Sequence, residues 1–261
     1  MSLKSALRAK RILKVLLQQG NTSVDDLVKL LDISAASVRR DLTKLESQGL
    51  VHRTHGGVTL AGEATYEPFR FDASFQIREG RFADEKRRIA LAAAELIQER
   101  QTIGLTAGTT TTQLARCIRH LKSVSLITNA INIGMELANQ PGLKVTLTGG
   151  SVQWAGAFSM VGPTALDSLE HIFLDILFLG ACGVDPMRGV TAIEADEALI
   201  FRVMASHARQ VVVLADSSKM GMVSPALICG INAVHTIVTD DGISGDLLAL
   251  LRATGVKLIV V

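Results

Sequence analysis

At 261 residues, 48% apolar and 4% aromatic, the chain is long enough for two domains and a core packed from Ala, Leu, Val and Ile. It has no apolar run long enough to span a bilayer and no apolar signal core near its charged N-terminus, so the expectation is a cytoplasmic protein with no membrane partner. Cys117, Cys182 and Cys229 sit far apart in apolar segments and read as buried free thiols; with no CxxC, HExxH or histidine cluster, no metal and no cofactor is expected.

Residues 5–19 carry an apolar stripe of Ile12, Leu13, Leu16 and Leu17 among basic residues, and Gly20 stops that helix. Ser23 and Asp26 have capping-box spacing, and Leu27, Leu30 and Leu31 give the second helix its buried side. After a short turn at Asp32 and Ile33, Ser34 stands at an N-cap, and Ala35, Val38, Leu42 and Leu45 recur at helical spacing until Gly49 ends the element. Ser37, Arg39, Arg40, Thr43 and Lys44 fall on its other face. Two short helices joined tightly, the second basic, are a helix-turn-helix. The segments 50–53 and 58–60 around Gly56-Gly57 read as the strands of a wing. Residues 1–57 hold ten Lys and Arg against five Asp and Glu, a net +5 in a chain whose total is +2. Segregated positive charge is the electrostatic footprint of a nucleic-acid binder. Arginine binds guanine bidentately and hydroxyls reach base edges or phosphates. Ser34, Ser37, Arg39, Arg40, Lys44, Arg53 and His55 are therefore the candidate contacts to a double-stranded DNA operator, with Arg39, Arg40 and Ser37 on the bases.

Apolar periodicity lapses after residue 60, so 1–60 is expected to be a winged helix-turn-helix domain, 61–82 a linker and 83–261 an α/β domain. A helix is expected from about Ala83 to Gln98. Strands and helices then alternate, which predicts a mostly parallel sheet: strands at 101–106, 124–128, 144–148, 175–179, 211–215, 236–239 and 257–261, and helices at 109–121, 131–139, 194–208 and 245–254. Strand after strand ends in small polar residues and glycine: Thr106 to Thr112, Thr128-Asn129, Thr148-Gly149-Gly150, Asp216 to Lys219, and Thr239 to Gly242. In open α/β sheets ligands bind at such carboxyl ends. Gly108, Thr109, Thr110 and Thr111 would cradle an anion at a helix N-terminus, and Lys219 would oppose it with positive charge. Glu194 and Asp196 read as solvated helix acids. The loop lacks a terminal Gly-Lys-Ser/Thr, and no GxGxxG follows a strand, which disfavours nucleotide hydrolysis and dinucleotide binding.

These motifs in this order resemble the DeoR family of bacterial transcriptional regulators: Val38-Arg39-Arg40-Asp41-Leu42, Arg53 with His55-Gly56-Gly57, Gly108 to Thr111, Thr128-Asn129, Thr148-Gly149-Gly150, Gly183-Val184-Asp185, Glu197-Ala198 with Arg202, and Asp216 to Lys219. The resemblance implies a winged helix-turn-helix joined to a sensor domain like ribose-5-phosphate isomerase and CoA transferases. It also implies a small phosphorylated sugar as effector and a homo-oligomer. By that similarity the glycine–threonine loop would hold the phosphate, and Thr128, Asn129, Gly149, Gly150, Asp185, Glu197 and Lys219 would line the rest. Two positions depart from the family pattern: Thr106 stands where Asp is usual, and Gln153 where Arg is usual. The expected function is a sequence-specific regulator, a repressor of sugar-metabolism genes released by a phosphorylated sugar. The alternative is a sugar-phosphate isomerase or deaminase carrying a DNA-binding domain.

Overall fold

Capped helices open the structure. The computed structural model describes residues 8–9, 11–12, 15–16, 21–47, 51–54, 56–60, 73–153 and 158–261, and the chain divides into two units, Met1–Phe71 and Asp72–Val261. In the first unit residues 8, 9, 11, 12, 15 and 16 are helical and bury Ile12 and Leu16 completely; Leu13, Leu17 and Gly20 lie outside the described residues. Helix Val24–Leu31 starts at Ser23, whose Oγ accepts the Asp26 N–H at 3.1 Å and donates to Asp26 Oδ2 at 2.6 Å. It ends at Asp32, which takes the left-handed conformation (φ 51°) and returns its N–H to Val28. Leu27 and Leu31 are buried, but Leu30, expected beside them, is 49% exposed. It lies about 100° round the helix from Leu31, on the flank of the stripe.

Helix Ala35–Ser47 buries Val38, Leu42 and Leu45 against those residues. Strands β1 (Val51–Thr54) and β2 (Gly57–Leu60) pair antiparallel with Arg53 opposite Val58. Thr22 extends the wing, exchanging both backbone bonds with Val58 at 2.9 and 2.8 Å. A side chain at Gly57 would meet the Thr22 carbonyl at 2.6 Å, so only glycine lets these backbones approach.

The second unit is a seven-stranded parallel sheet. Its strands are β3 (Thr102–Leu105), β4 (Val124–Thr128), β5 (Leu143–Leu147), β8 (Ile176–Gly180), β11 (Val211–Leu214), β13 (Thr236–Thr239) and β14 (Lys257–Val260), in the spatial order β14-β13-β11-β8-β3-β4-β5. β11 and β13 are buried along their whole length and β8 nearly so, which is why they read as continuous apolar runs rather than alternating ones. The chain runs from β3 outward to β5, then crosses back to lay β8 on the other side of β3. The strand order therefore reverses between β3 and β8. Two short strands, β6 (Ser151–Gln153) and β7 (Ser159–Val161), pair with each other, and β9 (Gly183–Asp185), β10 (Gly189–Ala192) and β12 (Ala226–Cys229) form a small antiparallel sheet.

The expected linker 61–82 needs correction. Ala73–Gly80 is a helix within the second unit; residues 61–72 lie outside the described ones. Of its described side chains only Phe75 is buried, and Ile77 is exposed, so the helix carries no apolar stripe to announce it. The next helix is Ala83–Ala94 rather than 83–98, because Leu96 and Ile97 bond three residues back and tighten the chain into turns. The three free cysteines are half-buried rather than buried. Among the described residues no helix is long and apolar enough to cross a membrane, and no cluster of metal-ligating side chains occurs.

Candidate functional site

Helix Ala35–Ser47 has two unlike faces. Ser34 takes the N-cap: its Oγ accepts the Ser37 N–H at 3.4 Å and donates to Ser37 Oγ at 3.0 Å, while its carbonyl accepts the Val38 N–H. Asp41 is buried and accepts a two-pronged contact from Arg8, Nε to Oδ2 at 2.7 Å and Nη2 to Oδ1 at 3.3 Å. That ion pair ties this helix to the first helical residues of the unit. On the opposite face Arg39, Arg40 and Lys44 are exposed. The guanidinium groups of Arg39 and Arg40 make no hydrogen bond or ion pair among the described residues. Arg53 is engaged with this helix: its Nε lies 3.1 Å from Glu46 Oε2, and its Nη2 donates to Thr43 Oγ1 at 2.7 Å. Arg53 thus fixes β1 to the helix while remaining 45% exposed. His55 lies outside the described residues.

In the second unit a cavity of about 530 Å³ opens at the carboxyl ends of β3, β8 and β11, where the strand order reverses. This is the position that open α/β sheets use for ligands. One wall is Ala107 to Thr110, the first turn of helix Thr109–Cys117, with its N–H groups at the positive end of the helix. A second is Gly180 to Cys182, after β8; a third is Ala215, Asp216, Ser218 and Lys219, after β11. Glu197 and Phe201 come from helix Ala195–Ser206, and Phe75, Arg78, Arg81, Phe82 and Lys86 close the far side. Four cationic side chains face two carboxylates, so the cavity favours an anion.

Lys86 has only 4% of its surface exposed; its ammonium donates to the carbonyls of Arg78 and Arg81. Burial lowers its pKa, and the Asp216 carboxylate works against that shift. Burial raises the Glu197 pKa, while the hydroxyl of Ser159 stabilises the carboxylate. Burial likewise raises the Cys182 thiol.

Of the expected effector residues, Gly108, Thr109, Thr110, Glu197 and Lys219 line this cavity. Thr111, Thr128, Asn129, Gly149, Gly150 and Asp185 do not. Thr111 Oγ1 donates to the Gly108 carbonyl at 2.9 Å, and Thr128 Oγ1 to the Leu105 carbonyl at 2.7 Å. Asn129 Oδ1 accepts the Ala107 N–H at 3.0 Å while its Nδ2 donates to Ser159 Oγ at 2.8 Å. Asn129 therefore supports both the anion loop and, through Ser159, Glu197. Gly149 and Gly150 have φ of 70° and 105°, and a side chain at Gly150 would sit 2.5 Å from the Val161 carbonyl. Asp185 closes the β9–β10 turn by accepting the N–H groups of Met187 and Arg188 at 2.9 and 2.7 Å. Thr106 is buried at the switch point and accepts the Gly180 N–H at 2.9 Å, bracing the β3 end against the β8 end. Gln153 Oε1 is buried without a partner among the described residues. Sequence reasoning missed Lys86, Arg78 and Arg81. The two arginines fell in the expected linker, and nothing in the neighbours of Lys86 marks it as a buried ammonium.

Comparison with known proteins adds two matches to family descriptions. Residues 8–64 match the DeoR-like helix-turn-helix domain and residues 81–241 the DeoR C terminal sensor domain. A protein of Escherichia coli O157:H7, provisionally described as the aga operon transcriptional repressor, is 35% identical over 97% of this chain and 93% of its own length. The HTH-type transcriptional regulator GlpR of Haloferax volcanii is 33% identical over 97% of each chain. Among solved structures, ribose 5-phosphate isomerase from Plasmodium falciparum aligns over 52% of each chain with 20% identity and a TM-score of 0.39.

Proposed function

The chain belongs to the DeoR family of transcriptional regulators, and from that premise we propose that it is a sequence-specific repressor of sugar-metabolism genes released from its operator by a phosphorylated sugar. It is a regulator rather than an enzyme, as its relatives are. The observation that carries the DNA reading is the open face of helix Ala35–Ser47. Arg39 and Arg40 stand exposed there with guanidinium groups unpaired among the described residues, and Ser37 lies one turn before Arg40. In our reading Arg39, Arg40 and Ser37 read base edges in the major groove, Lys44 touches phosphate, and Arg53 holds the wing against the helix. Two copies would present two such helices to successive turns of a palindromic site, so the working form is a homodimer or a multiple of it. It would act in the cytoplasm, where the operator is.

The effector reading rests on the cavity. A phosphate monoester carries about −1.5 to −2 charge near neutral pH, which suits four cations against two carboxylates. The first-turn N–H groups of Thr109 and Thr110, with Lys219, would take the phosphate. Glu197, half-buried and held by Ser159, would accept hydroxyl or amine donors of the sugar. The effector must bind one state of the chain better than the other, since equal affinity shifts nothing. Gel-shift on the DNA upstream of the chain's own gene and its neighbours, repeated with ribose 5-phosphate, glucosamine 6-phosphate and other sugar phosphates, tests both halves. Retardation that one sugar phosphate reverses is the expected result. Absence of any sequence-specific retardation would refute the DNA reading, and retardation that no sugar phosphate alters would refute the effector reading.

A further inference from the structure

We propose that Lys86 is the positioning residue of the cavity, through which an anion bound there orders the Ala73–Phe82 wall. The inference rests on the effector reading above and adds a residue and a moving part to it. Three observations carry it. Lys86 is a buried ammonium that lines the cavity, and two of its three N–H donors hold the carbonyls of Arg78 and Arg81. Those carbonyls belong to the end of helix Ala73–Gly80 and the turn after it, so one side chain fastens that end of the wall to the cavity. Besides Lys86, the wall is tied by Glu79, which accepts from Arg116 at 2.7 Å and from Gln113 at 3.3 Å, both on helix Thr109–Cys117, and by Phe75, which meets Phe158 edge-on at 5.0 Å; Ile77 and Phe82 are exposed.

A buried ammonium is costly unless its charge is compensated. The groups around Lys86 are mixed: Asp216 and Glu79 favour its charge, whereas Lys219 and Arg78 oppose it. An anion in the cavity would neutralise Lys219 and Arg78 and take the remaining N–H of Lys86. The ammonium would then hold the two carbonyls more firmly, and the wall would become less mobile. Ala73–Gly80 is also the first described element of this unit in chain order, immediately after the unit boundary at Asp72. Ordering it changes the segment that leads back to the DNA-binding unit.

The test is hydrogen–deuterium exchange on the full chain, with inorganic phosphate and with ribose 5-phosphate and glucosamine 6-phosphate as probes, combined with affinity by titration calorimetry. In the wild type, a bound probe should slow exchange of the 73–82 amides. Lys86→Met should bind the same probe at least about tenfold more weakly, as loss of a hydrogen bond to a charged group implies, and should show no slowing at 73–82. Lys86→Arg keeps the charge and should recover part of both. Wild-type binding with unchanged exchange at 73–82 overturns the inference, whatever the variants do. So does a folded Lys86→Met that binds and protects like the wild type; in either case the effector reading survives. A wild type that binds none of the probes overturns the effector reading, and this inference with it.

Discussion

The guanidinium groups of Arg39 and Arg40 hold nothing among the described residues, unlike those of Arg8 and Arg53. Arg8 is committed to Asp41, and Arg53 to Glu46 and Thr43. A bidentate arginine–guanine contact gives about 1–3 kcal/mol of base discrimination. Arg40→Ala should therefore lower operator affinity about 5- to 150-fold and relax sequence preference, with an unchanged circular dichroism spectrum. Operator affinity and preference that survive the change would remove Arg40 from base reading. Asn129 makes the complementary prediction in the sensor. Its amide is fully buried and satisfies both Ala107 and Ser159, so Asn129→Ala leaves a buried N–H without its acceptor. The expected loss is about 1–3 kcal/mol in urea unfolding, together with weaker effector binding. The amide's neighbours explain what the motif conceals: Thr128-Asn129 reads as a ligand-lining pair because it ends a strand, yet the fold turns both side chains inward to brace the loop that does face the cavity.

Elements with strong local rules were legible in advance. Ser23 caps its helix through the Asp26 N–H, as capping-box spacing requires, and Ser23→Ala should cost about 0.5–2 kcal/mol in the unfolding of the N-terminal unit. The central parallel strands were legible because burial on both faces leaves them mostly apolar, and β4 and β13 run over the residues that pattern predicts. The elements that were not legible lack such rules. β6, β7 and β9 are three residues each, too short for any period. Helix Ala73–Gly80 buries only Phe75 among its described side chains, so its helical period leaves no trace. Lys86 was invisible for a related reason: its depth follows from the packing of helix Ala83–Ala94 against helix Thr109–Cys117 and strands β11 and β13, not from its neighbours in sequence. The switch point itself could be anticipated only as a set of polar strand ends. Which of them share one cavity depended on β8 lying beside β3.

At the scale of the whole molecule the charge is divided, +5 in residues 1–57 and −3 in the remainder. Operator affinity should accordingly fall steeply with salt, because each neutralised phosphate adds about −0.9 to the slope of log K against log salt. Lys44→Ala should reduce that slope by about 1 per copy with little effect on sequence preference, the reverse of Arg40→Ala. The regulatory claim joins the two units by a free energy. A coupling of about 1–3 kcal/mol changes DNA affinity about 5- to 150-fold, and linkage requires the operator to weaken effector binding by the same factor. The direct measurement is operator affinity with and without the identified sugar phosphate, in the wild type and in Lys219→Ala. A fall within that range in the wild type that is abolished in Lys219→Ala is the predicted result. An operator affinity that no sugar phosphate changes, or one that changes equally in Lys219→Ala, would contradict it.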